Sequence, residues 1–191
     1  MDEAIYFLAE KNNHDNFHCV FAIVKLINSL YSTQIQDVHL KAVSAHIVEL
    51  EKSCNLSELI NNSDPLVVKN IANTKGIIEK SNNEQNKERV SLEKKPLKRS
   101  YNCWSFATKY CAFHNPEYMI YDSIIRKELV SLEVVKKESE IYIGGSIDAS
   151  YKKYLCYCES IKKLRMNIKL PENISNKDFD KFLWIKNKMD F

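Results

Sequence analysis

Tyr101-Asn-Cys-Trp-Ser-Phe-Ala-Thr-Lys-Tyr-Cys-Ala-Phe-His-Asn-Pro-Glu-Tyr-Met-Ile-Tyr-Asp-Ser123 packs aromatic, basic and acidic side chains around one turn. Over residues 104–113 the apolar side chains recur at helical spacing. Trp104, Ala107 and Cys111 fall on one side, Phe106, Tyr110 and Phe113 lie nearby, and Lys109 carries the charge. His114-Asn115-Pro116 stops this helix, because proline disfavours helical geometry in the residue before it, and the chain turns at Pro116-Glu117. After the apolar residues 118–121, Asp122 or Ser123 is a natural N-cap for a helix through Ile124, Ile125 and Leu129. The stretch therefore specifies helix, short loop, helix, with Asp122 at a helix entrance.

Working outward, residues 17–30 carry the pattern of a buried helix, and residues 39–50 that of an amphipathic one, with Leu40, Val43, Ile47 and Leu50 as its stripe. His39 and His46 on that helix read as surface or core-edge residues. Two short helices are expected at 55–62 and 65–72, separated by a turn-rich junction. Residues 73–97 are polar, and 81–89 hold no apolar side chain, which favours a mobile loop over the alternative of a solvated helix end. Beyond the central stretch, 124–140 reads as continuing helix, Gly144-Gly145 as a break, 151–164 as an amphipathic helix, and Ser175 or Asn176 as the cap of a last helix bearing Phe179, Phe182, Leu183 and Trp184. The expected fold class is mainly α. Its organisation is an N-terminal helical part (1–72), a polar linker or mobile loop (73–99) and a C-terminal helical part (100–191), with one compact domain overall also open.

Composition bounds the partners. The chain has 191 residues, 45% of them hydrophobic, with only three glycines and four prolines, enough to bury a core of helices. A formal charge of +3 is weak against the clustered lysines and arginines that phosphate neutralisation requires. The local clusters Lys94, Lys95, Lys98, Arg99 and Lys152, Lys153, Lys162, Lys163, Arg165 read first as solvated helix faces. Six cysteines without a secretory leader pattern point to a reduced, cytoplasmic setting. Cys156-Tyr-Cys158 has no second pair at zinc-ligand spacing, so neither metal nor cofactor is expected. No apolar run reaches the roughly 18 residues of a membrane span.

Ser105-Phe-Ala-Thr-Lys109, Phe113-His-Asn-Pro116 and Ile120-Tyr-Asp-Ser123, with Asp180-Lys-Phe-Leu-Trp184, resemble a family of bacterial proteins with an 8-oxoguanine DNA glycosylase (OGG) fold, in the helix-hairpin-helix glycosylase superfamily. The order of these segments suggests that the resemblance runs from about Leu59 onward. It implies a helical OGG-like bundle and an antiviral defence context of the type IV CBASS kind, with partners encoded in the same operon. Bifunctional members use a lysine nucleophile and, roughly eighteen to twenty positions later, an aspartate at a helix start, acting on a flipped base. Asp122 matches the aspartate. Counting back by that spacing reaches Asn102, Cys103 and Trp104; Lys109 stands thirteen residues before Asp122 and Lys98 twenty-four, so the lysine nucleophile is expected to be absent. The glycine-rich phosphate hairpin is missing too, since no glycine lies between Leu97 and Trp104.

The candidate residues follow. Asp122 is the candidate catalytic carboxylate, able to stabilise an oxocarbenium-like sugar and activate water, or is an N-cap alone. Trp104 and Tyr121 offer faces for a base or pack in the core. Lys109 and His114 are candidate substrate contacts, and Lys98 and Arg99 candidate phosphate contacts. Two functions result: an OGG-like accessory protein that recognises a nucleobase or binds a partner with degenerate glycosylase chemistry, or an active monofunctional N-glycosylase using Asp122.

Overall fold

With few glycines or prolines to interrupt it, the chain forms helix after helix. A computed structural model describes residues 2–10, 14–97 and 100–189, and among these there is no strand. The described helices are α1 (Asp2–Glu10), α2 (Phe17–Tyr31), α3 (Leu40–Cys54) after a 3₁₀ turn at Asp37–His39, α4 (Leu56–Asn61), α5 (Pro65–Ala72), α6 (Lys75–Ser91), α7 (Trp104–His114), α8 (Ser123–Ser131), α9 (Ile147–Asn167) after a 3₁₀ turn at Glu138–Glu140, and α10 (Asn176–Met189). The mainly-α class is the one expected. None of the described helices is long and apolar enough to cross a membrane.

Caps fix where helices begin. Asp64 accepts from Leu66 N–H at 2.8 Å, with Pro65 in the first turn of α5. Asp122 accepts from Ile124 N–H at 2.8 Å and starts α8. Ser175 accepts from Asp178 N–H at 3.1 Å at the head of α10. Each such cap contributes about 1 kcal/mol by satisfying a backbone donor that the helix leaves open.

The core is built around α7. Nine of its eleven residues are buried, so it is apolar nearly all round and belongs at the centre rather than on a surface. α1, α2, α4 and α5 pack against it. Phe106, Tyr110 and Cys111 have no exposed surface, and truncating a phenylalanine in such a site costs about 3–5 kcal/mol. As expected, the helix ends at His114 and the chain turns at Pro116-Glu117.

Three sequence expectations are corrected. Where a mobile loop is expected, residues 75–91 form α6. Its glutamate, glutamine, lysine and arginine are good helix formers, and polar bonds hold it in place of an apolar stripe. Asn82 Oδ1 lies 2.7 Å from His39 Nε2, Gln85 donates to Val38 C=O at 3.0 Å, and Asn86 pairs with both backbone groups of Leu97. His39, expected at the surface or the core edge, is fully buried. α8 stops at Ser131 instead of continuing to residue 140: Glu133 turns left-handed at φ 55°, breaking the helix just after its last turn.

Candidate functional site

α7 presents Ser105 and Lys109 one turn apart, and the chain after it doubles back alongside. Thr108 Oγ1 accepts from Tyr121 N–H at 3.0 Å, and the hydroxyls of Tyr154 and Tyr157 donate to the carbonyls of Met119 and Ile120 at 3.1 and 2.7 Å. The returning segment therefore sets Asp122 beside Lys109 rather than a sequence length away. Asp122 Oδ1 caps α8, while Oδ2 lies 3.6 Å from Lys109 Nζ. That separation is an ion pair beyond hydrogen-bond length; the hydrogen bond of the ammonium goes to Ser105 Oγ at 2.9 Å.

Two cavities meet at this point, and Tyr31, Ser32 and Asp122 line both. The first, about 520 Å³, is walled by aromatic rings, among them Tyr101, Trp104, Tyr121 and Tyr142. Arg126 lies between the rings of Tyr121 and Tyr142, its guanidinium 5.1 and 4.9 Å from their centres. The indole N–H of Trp104 is buried and has no hydrogen-bond partner among the described residues. The second, about 440 Å³, is charged: Lys109, Asp122, Lys177, Asp180 and Lys181 line it with Trp184. Ser32, on the shared wall, takes a left-handed φ of 47°, a conformation that a residue with a Cβ adopts at some cost.

Burial dominates the electrostatics of the charged cavity. Lys109 is only 5% exposed, and loss of solvent lowers its pKa, opposed by the negative charges of Asp122 and Asp180. Burial pushes Asp180 up to about 7, against the pull of Lys109. Lys177 is lowered to about 8 by the same cause; its ammonium sits over the rings of Phe113 and Tyr6, 3.2 and 4.2 Å from their centres. A desolvated amine beside carboxylates, open to a cavity, is an arrangement suited to nucleophilic or acid-base chemistry.

Trp104, Tyr121 and Asp122 thus line one cavity, and Lys109 and Asp122 the other. The spacing that set Lys109 apart from Asp122 does not separate their side chains. His114 lies elsewhere, in a closed cluster with His14 and Tyr110, ring centres 4.3 and 4.8 Å away. Lys98 and Arg99 lie outside the described residues. Trp184, on the last helix, is 40% exposed and borders the charged cavity. Asp180 enters the sequence reading only as part of a segment that carries the resemblance, with no chemical role, and Lys177 not at all. Their signal is the spacing Lys177, Asp180, Lys181, Trp184, which sets four cavity-lining residues on one face of α10.

Residues 2–118 match the family model HI_0787_N, described as an N-terminal domain. The match includes Lys109 and ends before Asp122 and Asp180. No curated protein and no solved structure matches the chain.

Proposed function

We infer from the Lys109–Asp122 pair that the chain, which belongs to the HI_0787_N family, is an OGG-like protein that holds a nucleobase with its sugar and cleaves the N-glycosidic bond joining them. The observation that carries this reading is a buried amine 3.6 Å from a helix-capping carboxylate, where an aromatic cavity meets a charged one. Trp104 and Tyr121 flank the base, and the unpaired indole N–H of Trp104 suits one of its acceptor atoms. Lys109, as free amine, bonds to the sugar carbon as the bond from that carbon to the base breaks, and the base leaves with that electron pair and takes a proton from water; Asp122 stabilises the positive charge that develops at the sugar. In this reading the bundle is of the OGG type and serves an antiviral defence system of the type IV CBASS kind.

The test is base release, followed by chromatography, from modified single- and double-stranded oligonucleotides and from free nucleosides. Release by the native protein, lost at least 100-fold in Asp122→Asn with the circular dichroism spectrum intact, supports cleavage. No release from any substrate contradicts it.

A second reading, a recognition scaffold for neighbour-encoded proteins, is favoured by exposed apolar side chains on α10: Phe182, Ile185 and Met189. It expects co-purification with those neighbours after co-expression. Recovery of the chain as a monomer alone counts against it.

A further inference from the structure

We propose that the aromatic cavity binds the phosphate of a free mononucleotide on one edge of Arg126, so that the substrate is a nucleoside monophosphate rather than a nucleic-acid strand; this deepens the cleavage reading above and rests on it for the base and the sugar. Two buried donors on the cavity wall carry the proposal. Arg126 is 8% exposed and Trp104 6%, and both line the cavity, Trp104 from the head of α7 and Arg126 from α8. Neither the Nε–H of Arg126 nor the Nε1–H of Trp104 has a hydrogen-bond acceptor among the described residues. Folded proteins pair nearly all such buried donors. A ligand with acceptor atoms at both places completes the wall.

Arg126 is set up to meet an anion. Its Nη1 donates to Glu138 Oε1 at 2.5 Å, and the rings of Tyr121 and Tyr142 flank the guanidinium. The edge formed by Nε and Nη2 remains, two parallel N–H groups that match two oxygens of one phosphate. The Glu138 side chain is exposed, so water screens its charge and the pair leaves the buried guanidinium attractive to a second anion. Asp122, the carboxylate that lines this cavity, is already engaged: Oδ1 accepts from Ile124 N–H, and Oδ2 lies beside Lys109.

Charge and spacing give the class of ligand. Among the described residues that line the aromatic cavity, Arg126 is the sole cation. A strand carries a phosphate at every nucleotide and calls for a track of cations, whereas one arginine matches one phosphate. The formal charge of the whole chain, +3, agrees with the smaller ligand. Arg126 N–H donates to Asp122 C=O at 3.1 Å, so the two residues stand one turn apart at the head of α8, about 6 Å along its axis. One sugar bridges that distance, from the carbon bearing the base at Asp122 to the phosphate at Arg126. The volume of about 520 Å³ is that of a small-molecule site. The phosphate is an anchor, and no bond to it forms or breaks.

The test is equilibrium binding, measured by titration calorimetry. The probes are the four common deoxyribonucleoside 5′-monophosphates, the matching nucleosides, inorganic phosphate and a short single-stranded oligonucleotide. Indole N–H signals of nitrogen-15 tryptophan protein, assigned with Trp104→Phe, report where the ligand sits. At least one monophosphate is expected to bind tenfold or more tightly than its nucleoside and to move the Trp104 signal. Arg126→Gln, its fold checked by circular dichroism, should bring that monophosphate down to the level of the nucleoside. Glu138→Gln keeps the guanidinium and removes its partner, and should bind at least as tightly as the native protein; a loss equal to that of Arg126→Gln would make the ion pair structural and overturn the proposal. It is also overturned if no monophosphate binds better than its nucleoside, if the Trp104 signal stays in place, or if inorganic phosphate or the oligonucleotide binds as tightly as the best monophosphate. Chromatography of the same samples separates the two readings. Phosphate-dependent binding with no base released from any substrate sinks cleavage and leaves the Arg126 site standing, while base release without phosphate dependence sinks the site alone.

Discussion

Lys109 and His114 sit five residues apart on α7 and are both withdrawn from water, yet one joins a site and the other does not. Lys109 opens into a cavity that the carboxylates of Asp2, Asp122 and Asp180 also line, and Asp122 and Asp180 oppose the effect of its burial. His114 is boxed in by His14 and Tyr110, and Tyr110 O–H lies 2.8 Å from His14 Nδ1. Burial holds His14 down at about 4 and His114 at about 3, so both imidazoles are neutral at pH 7. Burial shifts a pKa in either place. Only an opposed charge and an open cavity turn that shift into a group able to react.

The sharpest way to break this contrast is to remove the charge on α7. Lys109→Met is expected to reduce base release to background, a loss of more than about a thousandfold, while thermal unfolding shows a fold no less stable. A stable variant that still releases base would place the chemistry elsewhere.

Acid should act on the histidine region first. A neutral buried histidine stabilises the fold above its unfolded pKa of 6.5, and that stability is lost as pH falls below it, because the unfolded chain binds protons that the fold refuses. At pH 5 the expected cost is about 2 kcal/mol per histidine, from about 1.4 kcal/mol per pH unit. Urea unfolding at pH 7 and pH 5 measures it. His114→Gln should roughly halve the acid sensitivity, and an unchanged slope would mean that His114 is not held neutral by the fold.

Tyr110→Phe deprives His14 of its buried hydroxyl partner. It should cost about 1–3 kcal/mol in urea unfolding and leave base release per folded molecule unaltered. A matching loss of activity would show the two regions to be coupled. The smallest effect is expected from Ser105→Ala, which takes the 2.9 Å acceptor from the Lys109 ammonium. About 1 kcal/mol less support for the charged form should move the acid limb of base release to lower pH by less than one unit.

The sequence resolves these two regions unequally. The helix-turn-helix around Pro116 and the cap at Asp122 are legible because proline, the short polar cap and the apolar spacing act locally. The meeting of Lys109 with Asp122 is not, because counting positions ignores the return of residues 115–122 along α7, pinned by Thr108, Tyr154 and Tyr157. α6 is missed for a related reason: its anchors Asn82, Gln85 and Asn86 are polar, and hydrophobic periodicity does not register hydrogen bonds. Asp180 stands beside Phe179 and Lys181 in an ordinary amphipathic pattern, and only the packing of α10 on α8 gives its carboxyl a meaning.

The most direct measurement is borohydride trapping. The protein is incubated with an oligonucleotide carrying a modified base, or with the abasic product of its removal. Opening of the sugar ring converts an amine–sugar adduct to an imine; borohydride reduces that imine to a stable amine, and peptide mass spectrometry locates it. A sugar adduct on Lys109, absent from Lys109→Met, is the expected result. Base release with no adduct, or an adduct on another lysine, would contradict Lys109 as the reacting group.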